Sequence, residues 1–108
     1  MIEELINDHI EVSNSLLNDV ELIDRLCKVA LSTILSKNKI LLCGNGGSAS
    51  DASHIAAEFI GKFQNDRRPL PAISLSDNLS SITSISNDYN LRKFFLDKLK
   101  LLELRMIY

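Results

Sequence analysis

Residues 40–58 read Ile40-Leu41-Leu42-Cys43-Gly44-Asn45-Gly46-Gly47-Ser48-Ala49-Ser50-Asp51-Ala52-Ser53-His54-Ile55-Ala56-Ala57-Glu58. They lay out a strand, a glycine turn and a helix. The short apolar run Lys39–Cys43 has the bulk and β-branching expected of a buried parallel strand. Gly44, Gly46 and Gly47 then allow positive φ and let a ligand approach the main chain with no Cβ in the way. Ser48 and Asp51 both suit the opening of a helix. The N-terminus of that helix aims unpaired N–H groups and a partial positive charge at the mouth of the loop, which favours anions and oxygen-rich ligands. His54 and Glu58 are four residues apart, so they share one helix face about a turn beyond the loop.

What the loop excludes is as informative. No Gly-Lys-Ser/Thr follows, so it is not a P-loop, and Ala49 and Ser50 break the Gly-x-Gly-x-x-Gly pattern. Nucleotide binding is therefore disfavoured. Main-chain N–H groups, the Asn45 amide and the Ser48 hydroxyl suit sugar hydroxyls or a phosphate, although the spacing is met equally by a tight turn with no ligand. His54 and Glu58 by themselves describe either a solvated polar helix face or an imidazole–carboxylate pair. Such a pair can do general-base work or clasp one divalent ion, though two ligands do not complete a site.

Working outward, Ile2, Leu5, Ile6, His9, Ile10, Leu16, Leu17 and Val20 recur at helical spacing, followed by Ile23, Leu26, Cys27, Ala30, Leu31, Ile34 and Leu35. Two helices without Gly or Pro are expected before the first strand, packed as a hairpin or a bent pair. The apolar stripe of the first has little sheet to cover it, which points to an intersubunit role. His9 reads as a surface or half-buried helix residue. Ser36-Lys37-Asn38 supplies turn chemistry. Residues 64–70 form a polar connection, and Pro71 opens a second short strand through Leu75, parallel to the first. Ser76-Asp77-Asn78 starts a helix over 79–86, Asn87-Asp88-Tyr89-Asn90 is a turn, and Leu91, Phe94, Phe95, Leu99 and Leu102 face inward from a last helix.

The fold class is α/β: N-terminal helices (1–37), then the first part of a doubly wound parallel sheet (38–108), incomplete at the C-terminus. Two strands leave apolar edges unpaired, so the natural expectation is a truncated or frame-shifted product. The alternative is a half-domain completed by a partner chain. A composition of 45% hydrophobic and 24% charged residues is that of a soluble globular chain, and a net charge of −2 offers no basic face for nucleic acid or membrane surface. There is no signal peptide or membrane-spanning run, which places the chain in the cytoplasm. Cys27 and Cys43 read as small buried thiols, without a disulfide or a Cys-based zinc site.

Cys-Gly-Asn-Gly-Gly-Ser (43–48), Asp-Ala-x-His-x-Ala-Ala-Glu (51–58), Pro-Ala-Ile-Ser-Leu-Ser-Asp (71–77) and Ile-Ser-Asn-Asp-Tyr (85–89) together resemble the phosphoheptose isomerases of the sugar-isomerase (SIS) superfamily, with a flavodoxin-like sheet. The resemblance implies interconversion of sedoheptulose 7-phosphate and D-glycero-D-manno-heptose 7-phosphate through an enediol(ate), in heptose and lipopolysaccharide precursor synthesis. It implies Glu58 as catalytic base and metal ligand and His54 as zinc ligand. Asn45, Gly46, Gly47, Ser48, Glu58, Asn87 and Asp88 become substrate contacts, and full-length members are homotetramers. Lys62 stands where members often carry arginine. The remaining ligands, a glutamine and a histidine, and the Ser/Thr-rich phosphate loop have no counterpart here, so the chain alone is expected to be inactive. Members are roughly twice this long. A non-catalytic SIS protein, the replication regulator that associates with the initiator protein, resembles the same loop. It has no need of a carboxylate at position 58.

Overall fold

The computed structural model describes residues 1–103. Their contacts separate one unit of residues 1–38 from a second that begins at Lys39.

In the first unit, helix α1 (Ile2–Ser15) and helix α2 (Val20–Leu35) are joined by one 3₁₀ turn, Leu16–Asp19. The helices do not form a hairpin, because each touches the turn and not the other. With no Gly or Pro to break it, the backbone stays right-handed through Ser15, Leu16 and Val20, which leaves a bent pair. α1 buries no residue, and α2 buries only Ile34 among its apolar positions. His9 is exposed. Helix α2 ends in a Schellman arrangement: Lys37 N–H donates to Ile34 O (3.0 Å), Asn38 N–H to Thr33 O (3.0 Å), and Lys37 takes φ 60°.

The second unit runs β1 (Ile40–Leu42), α3 (Gly47–Ile60), β2 (Ala72–Ser74), α4 (Leu79–Asp88) and α5 (Leu91–Glu103). The strands are parallel with Ile40, Leu41 and Leu42 opposite Ala72, Ile73 and Ser74. The ladder is extended by Ile40 N–H to Pro71 O and Leu75 N–H to Leu42 O, both 2.8 Å. Pro71 donates nothing, so its place just before the strand costs no ladder bond. Helix α3 packs on this pair through Ala52 and Ala56, both buried, as are Ala72 and Leu75 in and after β2. Alanines let the helix come close to the sheet. Helices α4 and α5 pack on each other. Phe94 is fully buried on α5, its ring edge-on to Phe95 at 5.0 Å. Asn78 Oδ1 accepts from Ser81 N–H (2.9 Å), and Asn90 Oδ1 from Lys93 N–H (2.8 Å), so an Asn opens each of these helices.

Three expectations are corrected. Cys27 and Cys43 are exposed, not buried: Cys27 lies on a helix with an uncovered apolar face, and Cys43 follows a strand that has one neighbour among the described residues. Asn87 and Asp88 complete the last turn of α4 rather than forming a turn of their own, and the helix breaks only at Tyr89 (φ −133°, ψ −89°). Polar side chains do not by themselves stop a helix. Ser48 and Asp51 lie inside α3, whose N-cap is Gly46 without a side-chain cap. Residues 101–103 continue helix α5, and residues 104–108 lie outside the described residues.

Candidate active site

Both strands of the parallel pair end at the same edge, where open α/β sheets bind ligands. From β1 the chain enters the glycine loop, and from β2 it enters Ser76-Asp77-Asn78. The three loop glycines have different reasons to be there. A Cβ on Gly44 would overlap the main chain of Ser48 and lie 2.7 Å from its Cβ, so Gly44 permits the close return of the helix. Gly46 has φ 54° and ψ −125°, a conformation L side chains disfavour. A Cβ on Gly47 would meet nothing within 4 Å. Ser48 N–H donates to Asn45 O and Ala49 N–H to Gly46 O, each 3.1 Å, winding the loop directly into α3.

Beside the start of α3 lies an open cleft of about 530 Å³, lined by Ala49, Ser50, Ser53, His54, Ser76 and Asp77. Of the residues singled out from sequence, only His54 is in this wall. Asn45, Gly46, Gly47 and Ser48 form the turn leading into the helix. Glu58 lies one turn beyond His54 and is half-buried, with Oε1 3.5 Å from His54 Nε2. Asn87 and Asp88 are exposed on α4, Asn87 Nδ2 donating to Asp88 Oδ1 at 3.5 Å, and neither reaches the cleft wall.

Sequence reasoning missed Ser53, Ser76 and Asp77. Ser53 Oγ lies 2.5 Å from Asp77 Oδ1, 3.0 Å from Ala49 O and 3.3 Å from Ser74 Oγ. Ser74, buried, accepts from Ser76 N–H at 3.3 Å. Ser76 Oγ donates to Gly44 O at 3.0 Å, tying the exit of β2 to the glycine loop. The available signal was position: Asp77 follows the carboxyl end of a parallel strand. Arg67 was also missed inside the polar connection. Its Nη2 donates to Glu58 O (2.7 Å) and its Nη1 to Phe59 O (2.8 Å), capping the last turn of α3 with a cation where the helix carries partial negative charge. Lys62 pairs with Asp66 at 3.4 Å on the surface.

His54 and Glu58 fit a divalent ion as two donors. Their 3.5 Å separation is close to the roughly 3.3 Å between two ligands of a tetrahedral zinc with bonds of about 2.0–2.1 Å. No third His, Cys, Asp or Glu joins them among the described residues.

A family model for the SIS domain matches residues 9–103. The phosphoheptose isomerase of Clostridium acetobutylicum is 45% identical over 97 residues, covering 87% of this chain and 50% of that protein. That of Aliarcobacter butzleri is 48% identical over 75 residues, 69% of this chain and 40% of that protein. The chain spans about half the length, or less, of the curated relatives it matches. Among solved structures, a phosphoheptose isomerase from Francisella tularensis aligns with a TM-score of 0.77 at 28% identity, over 95% of this chain and 56% of that one. The phosphoheptose isomerase of Neisseria gonorrhoeae aligns with a TM-score of 0.72 at 31% identity, over 95% and 55%. The two solved structures share the α/β architecture described above over about half of their own length, and the match over residues 9–103 shows that the chain belongs to the SIS domain family.

Proposed function

We propose that this chain carries the first half of an aldose–ketose isomerase site that converts sedoheptulose 7-phosphate to D-glycero-D-manno-heptose 7-phosphate in the cytoplasm. The observation that supports it most is the His54–Glu58 pair, 3.5 Å apart, one turn beyond a glycine loop at the carboxyl end of a parallel strand. The similarity to phosphoheptose isomerases gives that pair a reaction.

In this reading the Glu58 carboxylate takes the proton α to the sugar carbonyl and returns it to the neighbouring carbon, through an enediol(ate). A positioned base contributes on the order of 10²–10⁴-fold. Asn45, the main chain at Gly46 and Gly47 and the Ser48 hydroxyl hold substrate oxygens, and Asn87 and Asp88 orient hydroxyls. His54 and Glu58 would hold zinc, which when bound supplies Lewis-acid polarisation of the carbonyl. Arg67 keeps the turn of α3 that bears Glu58 from fraying.

With two donors the 108-residue chain should bind zinc weakly and turn over sedoheptulose 7-phosphate at a negligible rate. A rate comparable to a full-length relative would contradict that. The activity is tested in a chimaera in which residues 1–103 replace the aligned half of the Clostridium acetobutylicum enzyme. Conversion of sedoheptulose 7-phosphate by the chimaera is expected. A folded chimaera without conversion would overturn the reading.

A further inference from the structure

The cleft contains a carboxylate that the reading above leaves unused. Asp77 is exposed in its wall, and no Lys or Arg pairs with it among the described residues. Its position is nevertheless fixed. Ser53 has one hydroxyl proton, and of its three neighbours Asp77 Oδ1, at 2.5 Å, is both nearest and charged, so it receives that proton. Ser74 Oγ accepts from Ser76 N–H and turns its own proton towards Ser53 Oγ at 3.3 Å. The bonds therefore run one way, from the exit of β2 through the 4% exposed Ser74 to Ser53 and Asp77. Chains of this kind polarise in one direction and hold their last acceptor in place.

We propose that Asp77 binds hydroxyl groups of the polyhydroxylated chain of a sugar phosphate. An ionised carboxylate only accepts hydrogen bonds, so its partner must be a donor. A cation is the poorer choice, since no cluster of three ligating side chains surrounds it among the described residues. Neighbouring hydroxyls of a sugar suit the two oxygens of one carboxylate, and Ser50 and Ser76 in the same wall can serve the remaining oxygens. The phosphate end is repelled by Asp77 and lies away from it, towards the partial positive charge at the N-terminal end of α3. This assignment rests on the sugar-phosphate reading and sets the direction in which the substrate lies.

The test is an amide NMR titration of the 108-residue chain with sedoheptulose 7-phosphate and, separately, with inorganic phosphate. Asp77→Asn keeps the shape and the acceptor for Ser53 and removes the charge. It is expected to weaken sugar-phosphate binding roughly tenfold or more and to leave phosphate binding unchanged or slightly tighter. Ser53→Ala, which frees the carboxylate without deleting it, is expected to cause a smaller loss, and it decides the matter if Asp77→Asn does not fold. Unchanged sugar-phosphate affinity in the variant that folds overturns the role of Asp77 alone, as does an equal loss of both ligands. A folded parent chain that binds no sugar phosphate overturns this inference, whereas the isomerase reading falls only with a folded chimaera that shows no conversion.

Discussion

At the scale of single residues, the glycine loop makes separable demands. Gly44→Ala pushes a Cβ into the main chain of Ser48, which cannot move without unwinding the first turn of α3. A loss of about 1–3 kcal/mol is expected, read by chemical denaturation. Gly47→Ala meets open space at a helical position and is expected to leave stability unchanged or raised by up to about 1 kcal/mol. If that variant in the chimaera raises the KM for sedoheptulose 7-phosphate while its melting temperature holds, a ligand occupies the space; an unchanged KM would contradict substrate contact there. All three glycines were visible in the sequence, but their different reasons were not. Clash and open space are set by how the helix returns over the strand.

At the scale of elements, local chemistry was legible wherever a single signal sufficed. Asn78 and the run before Leu79 announced α4, the apolar run Lys39–Cys43 announced β1, the glycine turn with Ser48 and Asp51 announced α3, and Pro71 announced β2. Where two distant segments meet, the sequence was mute. Ser53 and Asp77 are brought together by α3 packing on β2. Arg67 caps α3 from a loop that showed only polarity. Arg67→Ala is expected to cost about 1–3 kcal/mol by leaving two helix-end carbonyls without their charged donor, measured by thermal melting. Lys37 illustrates the opposite case. Held at φ 60° in the Schellman turn, it carries a Cβ where glycine is favoured, so Lys37→Gly is expected to stabilise the chain by about 0.5–1 kcal/mol. A lower melting temperature would contradict the cap assignment.

At the scale of the whole molecule, burial is where expectation and structure part. Cys27 and Cys43 were expected inside because their neighbours are apolar, yet burial needs a second surface. Along α1, the 3₁₀ turn and α2 most apolar positions have none: Leu5, Leu17, Leu26 and Val29 are all more than 60% exposed. No helix among the described residues is long and apolar enough to cross a membrane. Exposed apolar stripes of this kind mark surfaces that a second copy of the chain can cover. Self-association is expected in sedimentation at micromolar concentration, with a monodisperse monomer as the contrary result.

The most direct measurement is the turnover of the chimaera carrying Glu58→Gln. A fall in kcat of roughly 10²–10⁴-fold, with the KM for sedoheptulose 7-phosphate little changed, is expected if this carboxylate moves the proton. Full turnover with glutamine at position 58 would contradict it.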